Sequence, residues 1–162
     1  MTPLQEDFRE VMASVCTPVS VVTALDGDRP HGTTVSAFTS LSLDPPMVLV
    51  ALDRGSDLLA IVARTGRFGL NVLGGAQSAL ALTFARKGSA KFTGVPWDVE
   101  GGVPRIPGAG GFLACAVDDL VEGGDHVVVL GGVLAAETVA GPPLTYHGRV
   151  FGTHAALRSH SS

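Results

Sequence analysis

Between two apolar runs, Val19 to Ala24 and Met47 to Leu52, the chain places six hydroxyl side chains within ten residues. They are Thr33, Thr34, Ser36, Thr39, Ser40 and Ser42, and the segment stops at Asp44-Pro45-Pro46. Hydroxyls bury poorly unless something accepts their hydrogen bonds. A β-patterned segment of this kind is therefore either an edge strand with solvated hydroxyls or a surface on which a flat polar ligand approaches the backbone. The chemistry of the segment alone leaves both readings open.

The flanking pattern sets the fold class. Leu4 to Ser14 carries Phe8, Val11, Met12 and Val15 at helical spacing, and Pro18 ends it. From Val19 the period becomes that of strands: Val19 to Leu25, a turn at Asp26-Gly27-Asp28, then His31 to Ser40. Met47 to Leu52 is continuously apolar and reads as a central strand. Ser56-Asp57 caps a helix over Leu58 to Arg64 that stops at Gly66. A strand follows over Phe68 to Leu73, then a helix over Gln77 to Ala85. Gly88 to Gly111 reads as loop. Phe112 to Asp118 and His126 to Thr138 read as strands joined by Glu122 to Asp125, with a short strand near Tyr146 to Thr153 and a tail over 156–162. Many strands, two or three helices and no regular β–α alternation predict a mainly β (α+β) domain, a closed antiparallel barrel with helices attached.

With 162 residues, 46% hydrophobic and 16% charged, the chain fits one folded domain over 1–162. A net charge of −4 and no basic run longer than two residues argue against nucleic acid. The longest apolar run, Val127 to Ala136, is too short to span a bilayer, and Met1 to Glu10 is too polar for a secretory signal. Cys16 and Cys115, both in apolar contexts, read as reduced core thiols of a cytoplasmic protein.

Familiar catalytic constellations are missing. The five histidines (His31, His126, His147, His154, His160) lack metal-site spacing, and no Gly-x-Ser-x-Gly elbow accompanies Asp125-His126. Gly108 to Gly111 follows prolines and opens a strand, which is not the context of a dinucleotide-binding turn. The chain's two lysines, Lys87 and Lys91, stand with Arg86 beside Phe84-Ala85. Such a cluster is either a solvated loop or a phosphate site, and Ser56 opens a helix that favours an anion. Asn71, inside an apolar strand, needs a partner, which is either backbone or ligand.

Taken in order, these segments resemble the flavin reductase-like family of FMN-binding split barrels, the reductase components of two-component flavin monooxygenases. The resemblance rests on Phe8-Arg9 with Met12, Thr17 to Thr23, the hydroxyl-rich stretch with its Asp-Pro-Pro stop, and Gly66 to Leu73. It continues through Phe84-Ala85, Lys91-Phe92, Gly124-Asp125-His126 and Pro143 to Tyr146, covering nearly the whole chain. Two positions depart from the family's pattern: Ala90, before the Lys-Phe pair, and Ala114, before the cysteine, both commonly acidic.

The resemblance implies a split barrel of Greek-key type and a homodimer with flavin near the subunit interface. It implies FMN or FAD as flavin, NADH or NADPH as hydride donor, and a separate monooxygenase that receives the reduced flavin. His126 would then lie beside the nicotinamide. The flavin contacts expected are Thr33, Thr34, Val35, Ser36, Ala37, Ser40, Ser42, Ser56, Asn71, Phe84, Ala85, Lys87 and Lys91. Ser40 and Ser42, two apart on a strand, would share one face. Arg9 and Arg149 are further candidates for dinucleotide phosphates. The rival expectation is a non-catalytic barrel that carries flavin or deazaflavin, or passes electrons.

Overall fold

The computed structural model describes residues 1–158, so the last four positions of the expected tail lie outside the described residues. The opening helix α1 spans Pro3–Ala13. Thr2 caps it through a reciprocal box with Gln5, and Pro3 fills the first turn, where its missing N–H is not needed. No residue of α1 is buried. It is tied down by Arg149, which donates to Glu10 at 2.7 Å, and by the Gly148 N–H, which donates to the Ala13 carbonyl at 2.8 Å. Arg149 therefore serves as an anchor of α1.

The strands run β1 (Thr17–Pro18), β2 (Ser20–Asp26), β3 (Arg29–Val35), β4 (Phe38–Leu43), β5 (Pro46–Asp53), β6 (Arg67–Val72), β7 (Asp98–Glu100), β8 (Val103–Arg105), β9 (Gly111–Gly123), β10 (His126–Thr138), β11 (Thr145–His147) and β12 (Val150–Gly152). Helices α2 (Asp57–Thr65) and α3 (Ser78–Ala85) follow β5 and β6. Seven strands form one antiparallel sheet in the order β3-β2-β6-β9-β10-β5-β4. β3 and β4, consecutive in the chain, therefore stand at opposite ends of the order.

Period-2 alternation makes β2 the divider between two cores. Val22 and Ala24 join one with Val50, Leu52, Val62, Phe68, Leu70 and Val129. Val19 and Val21 join the other with Leu73, Ala81, Phe84, Ile106 and Leu144. Each fully buried aliphatic or aromatic side chain contributes about 1.5–3 kcal/mol. Gly66, in the left-handed region at φ 71°, ends α2 as the sequence predicts.

Five expectations are corrected. The predicted strand over 31–40 is broken at Ser36-Ala37, where the Phe38 N–H turns back to the Ser36 carbonyl at 3.1 Å. The predicted loop over 88–111 contains the β7–β8 hairpin, and β9 runs on past Asp118 to pair with β10 along their length. Cys16 is exposed beyond the end of α1; only Cys115 is a core thiol, and burial pushes it up to about 12.

Asn71 is the fifth. It is fully buried on β6, and its amide nitrogen lies within donating distance of the Val21 carbonyl (3.2 Å), Thr23 Oγ1 (3.3 Å) and the Pro104 carbonyl (3.4 Å). Its Oδ1 accepts the Ile106 N–H at 2.8 Å. Every polar atom is engaged inside the protein, so Asn71 stitches β2, β6 and the β8 segment together and has nothing to offer a ligand. Truncation leaves the Ile106 N–H buried and unpaired, at a cost of about 2–3 kcal/mol. Urea unfolding of Asn71→Ala is expected to show that loss; a change within about 0.5 kcal/mol, the range of an ordinary surface substitution, would contradict it.

Candidate functional site

One cavity of about 460 Å³, within the range of small-molecule sites, opens between three segments. They are the start of β3 (Pro30 to Thr33), the β5–α2 loop (Asp53 to Leu58) and the loop after α3 (Ala85 to Phe92). Three cations line it (Arg86, Lys87, Lys91), against two carboxylates (Asp53, Asp57).

Each wall has a local cause. At Gly32 an added Cβ would meet the Phe84 ring and a Val21 methyl at 3.1 Å, so the absence of a side chain lets β3 lie this close to α3. Phe84 itself is fully buried and packs edge-on to Phe92, 4.8 Å between centroids. The end of α3 leaves carbonyls without helical partners, and β3 supplies them. Thr34 Oγ1 donates to the Ala81 carbonyl at 2.6 Å, and Thr33 Oγ1 reaches the Phe84 carbonyl at 3.5 Å. Lys91 Nζ donates to the Phe84 and Gly32 carbonyls, both at 3.1 Å. Burial holds the Lys91 ammonium below the ordinary lysine range, partly opposed by Asp57. Two of its three N–H donors are thus committed to the protein.

The opposite wall is the start of α2. Ser56 occupies the N-cap, but its hydroxyl makes no capping hydrogen bond, and it lines the cavity. The first-turn N–H groups of α2 have no partners within the helix, and their positive end favours an anion. Asp53 shapes the loop by accepting the Gly55 N–H at 2.7 Å. Arg54 fixes it to the β9–β10 turn, its backbone N–H donating to the Asp125 carbonyl at 2.9 Å and its guanidinium to the Gly124 carbonyl.

Of the site residues expected from sequence, Thr33, Ser56, Ala85, Lys87 and Lys91 line this cavity. Thr34, Val35 and Phe84 stand behind the wall, Val35 and Phe84 as core residues. Ser36 and Ala37 sit at the break between β3 and β4. A β-bulge between Ser40 and Ser42 corrects the shared-face expectation: Ser40 is exposed while Ser42 is half-buried. His126 is paired across the β10–β5 ladder with Asp53, a cavity residue, and its Nδ1 lies 2.8 Å from Asp125 Oδ1. The bonded imidazole holds the Asp125 carboxyl below its usual range. Residues that sequence reasoning passed over are His31, Asp53 and Asp57. The acidic pair was legible only as turn and cap chemistry around Ser56, and nothing in the sequence marked His31. Among the described residues no cluster of three or more His, Cys, Asp or Glu is placed to hold a metal ion.

Residues 12–155 match the model of the flavin reductase like domain, and the chain belongs to that family. It is 37% identical over 160 residues to the reductase component of a 4-nitrophenol 4-monooxygenase/4-nitrocatechol 2-monooxygenase from Rhodococcus opacus, spanning 98% of this chain and 86% of that one. An NADH:riboflavin 5′-phosphate oxidoreductase of Streptomyces pristinaespiralis is 39% identical over 154 residues, spanning 91% and 87%. Among solved structures, nitrilotriacetate monooxygenase component B from Mycobacterium thermoresistibile superposes with TM-score 0.91 at 30% identity, covering 98% of this chain and 92% of that one. The NADH:FAD oxidoreductase of Streptomyces globisporus C-1027, in complex with NAD and FAD fragments, gives 0.88 at 34% identity, covering 93% of each.

The two cavity lysines differ in commitment. Lys91→Ala removes two charge-assisted hydrogen bonds and is expected to cost about 1–2 kcal/mol in urea unfolding. Lys87→Ala, exposed and without such bonds, is expected to stay within about 0.5 kcal/mol. Equal effects would mean that Lys91 does not hold the wall.

Proposed function

We propose that this chain is a flavin reductase that uses NADH to reduce FMN or FAD and releases the reduced flavin to a separate monooxygenase. The observation that carries the reading is the cavity itself. Three cations on one wall face an uncommitted N-cap hydroxyl and a helix start on the other, in a chain of the flavin reductase like family. That donor set suits a phosphate-bearing ligand.

A bound flavin would supply the redox chemistry, taking hydride from the nicotinamide and holding the electrons until it leaves. The protein's part is placement. Arg86, Lys87, the third N–H of Lys91, Ser56 and Thr33 hold the phosphate end, with Ala85 completing the wall. The backbone around Ser36 and Ala37, released from the ladder at the strand break, would offer N–H and carbonyl groups to the flavin ring, and Ser40 and Ser42 their hydroxyls. His126, held by Asp125 and opposite Asp53, meets the dinucleotide. Hydride transfer of this kind would ask no general acid or base of the protein.

We read the seven-stranded sheet as a closed split barrel, since the continuous segment 29–43 supplies both of its end strands. No helix among the described residues is long and apolar enough to cross a membrane. Both cysteines are free, which suits a cytoplasmic protein.

The test is oxidation of NADH and NADPH by purified protein with and without FMN, FAD and riboflavin, followed by loss of reduced-nicotinamide absorbance. Flavin-dependent oxidation, faster with NADH, is the expected result. In the same assay His126→Ala is expected to raise the KM for NADH about tenfold, a loss of about 1.4 kcal/mol, with flavin affinity unchanged. Flavin binding without turnover would favour a carrier instead.

A homodimer accounts for α1. Leu4, Phe8, Val11 and Met12 all remain exposed, Phe8 and Val11 at 62% each, on a helix held in place by Glu10 and Arg149, and Val15 just beyond it is exposed too. A helix with so much exposed apolar surface needs a cover. Phe8→Glu is expected to shift the species seen by light scattering from dimer to monomer. A wild-type protein that is monomeric at micromolar concentration would remove this part of the proposal.

A further inference from the structure

Among the described residues, one buried side-chain polar atom has no hydrogen-bond partner, Nε2 of His31. His31 lies on β3 between Pro30 and Gly32, and all three line the cavity. Folded proteins seldom leave a buried polar atom unpaired, and where they do the missing partner is commonly a water, an ion or a ligand. His31 has no place in the function set out above, nor in the Lys91 and Thr34 contacts that join β3 to α3.

We infer that His31 is a phosphate ligand: its imidazole turns toward the cavity and donates from Nε2 to a phosphate oxygen of the bound molecule. This rests on the reading of the cavity as the flavin site. Three features favour a phosphate over a ring carbonyl as the partner. Arg86, Lys87 and Lys91 gather on the same cavity. Lys91 already binds the carbonyl of Gly32, the residue next to His31, so its ammonium and the imidazole are anchored at adjoining points of one strand. An imidazole donates to an anion in its neutral and its protonated form alike. The turn itself is soft, because the torsion that orients a histidine ring has broad minima.

In the free protein the unpaired nitrogen is a liability that a phosphate oxygen removes. Replacing the ring with an apolar one of similar shape therefore separates binding from stability. Stability is expected to hold or rise, while affinity for a phosphate-bearing ligand falls.

The experiment compares wild type, His31→Phe and His31→Gln in titrations with FMN and with riboflavin, which lacks the phosphate. KM for NADH is measured at saturating riboflavin, and Tm is measured without flavin. His31→Met replaces His31→Phe should the latter fail to fold. The expected result for His31→Phe is a Kd for FMN about tenfold weaker, an unchanged Kd for riboflavin, and a Tm equal to or above that of wild type. His31→Gln, which keeps a donor, is expected to recover part of the FMN affinity. A rise in KM for NADH with FMN binding unchanged would keep His31 as a phosphate ligand and assign that phosphate to the dinucleotide. Equal losses for FMN and riboflavin, or a lower Tm with all affinities intact, would overturn the inference. A wild-type protein that binds neither flavin would overturn the flavin reading, and this proposal with it.

Discussion

The contact between the start of β3 and the end of α3 is the constraint on which the site depends. It is close because Gly32 has no side chain where a Cβ would meet the Phe84 ring at 3.1 Å, and it is tied because Lys91 joins the carbonyls of both elements. The Thr34 hydroxyl adds a third tie, to the Ala81 carbonyl at 2.6 Å. Lys91 thus does two things with one ammonium. Two donors complete the backbone of the wall, and a third remains for whatever the cavity holds. Burial lowers its affinity for its proton, which is the electrostatic counterpart of placing a cation where water no longer fully solvates it.

A second network makes that wall rigid from behind. Ser20, Thr23 and Asn71 are the fully buried polar residues of the sheet, and each is paired: Ser20 to the Val35 carbonyl at 2.7 Å, Thr23 to the Pro104 carbonyl at 2.6 Å, and Asn71 to four groups. They lie on the two strands that separate the cores, so polar pairing fixes register where apolar packing alone would tolerate a slip. Against this background of satisfied polar groups the unpaired His31 stands apart. Its neighbours on the same sheet show that the fold supplies partners wherever the partner is protein.

Much of the fold was legible because its signals are local. The capping and stop residues of α2 and the Asp-Gly turn of the first hairpin each act within a few residues. The apolar run at Met47 marks a strand sandwiched between β4 and β10. What escaped was non-local. The broken ladder at Ser36-Ala37 and the bulge at Ser40–Ser42 depend on β3 and β4 pairing with different strands, which period-2 patterning does not encode. Asn71 looked equally suited to a ligand and to the core, and only the arrival of the β8 segment beside β6 decides between them. Cys16 looked like a core residue because its neighbours are apolar, yet it follows a helix with no buried residue.

The site was legible in the same measure. Lys87, Lys91, Ser56 and Thr33 come from three segments far apart in sequence, and charge and capping chemistry flagged each of them separately. Their convergence on one cavity is a property of the tertiary fold. The hydroxyl-rich segment, the strongest signal in the sequence, turns out to act mainly on the protein itself. Thr33 and Thr34 close the end of α3, and the serines further on fall on a bulged strand. A segment rich in hydroxyls therefore builds the frame of this cavity first, and the cations that look like an ordinary solvated loop form its charged face. That division follows from chemistry: the short Thr33 and Thr34 hydroxyls reach the backbone packed against them, whereas Lys and Arg carry their charge on long stems. A redox site of the kind proposed here asks for little more than such a frame. Its reacting groups arrive with the bound molecules, and the protein's part is to place them.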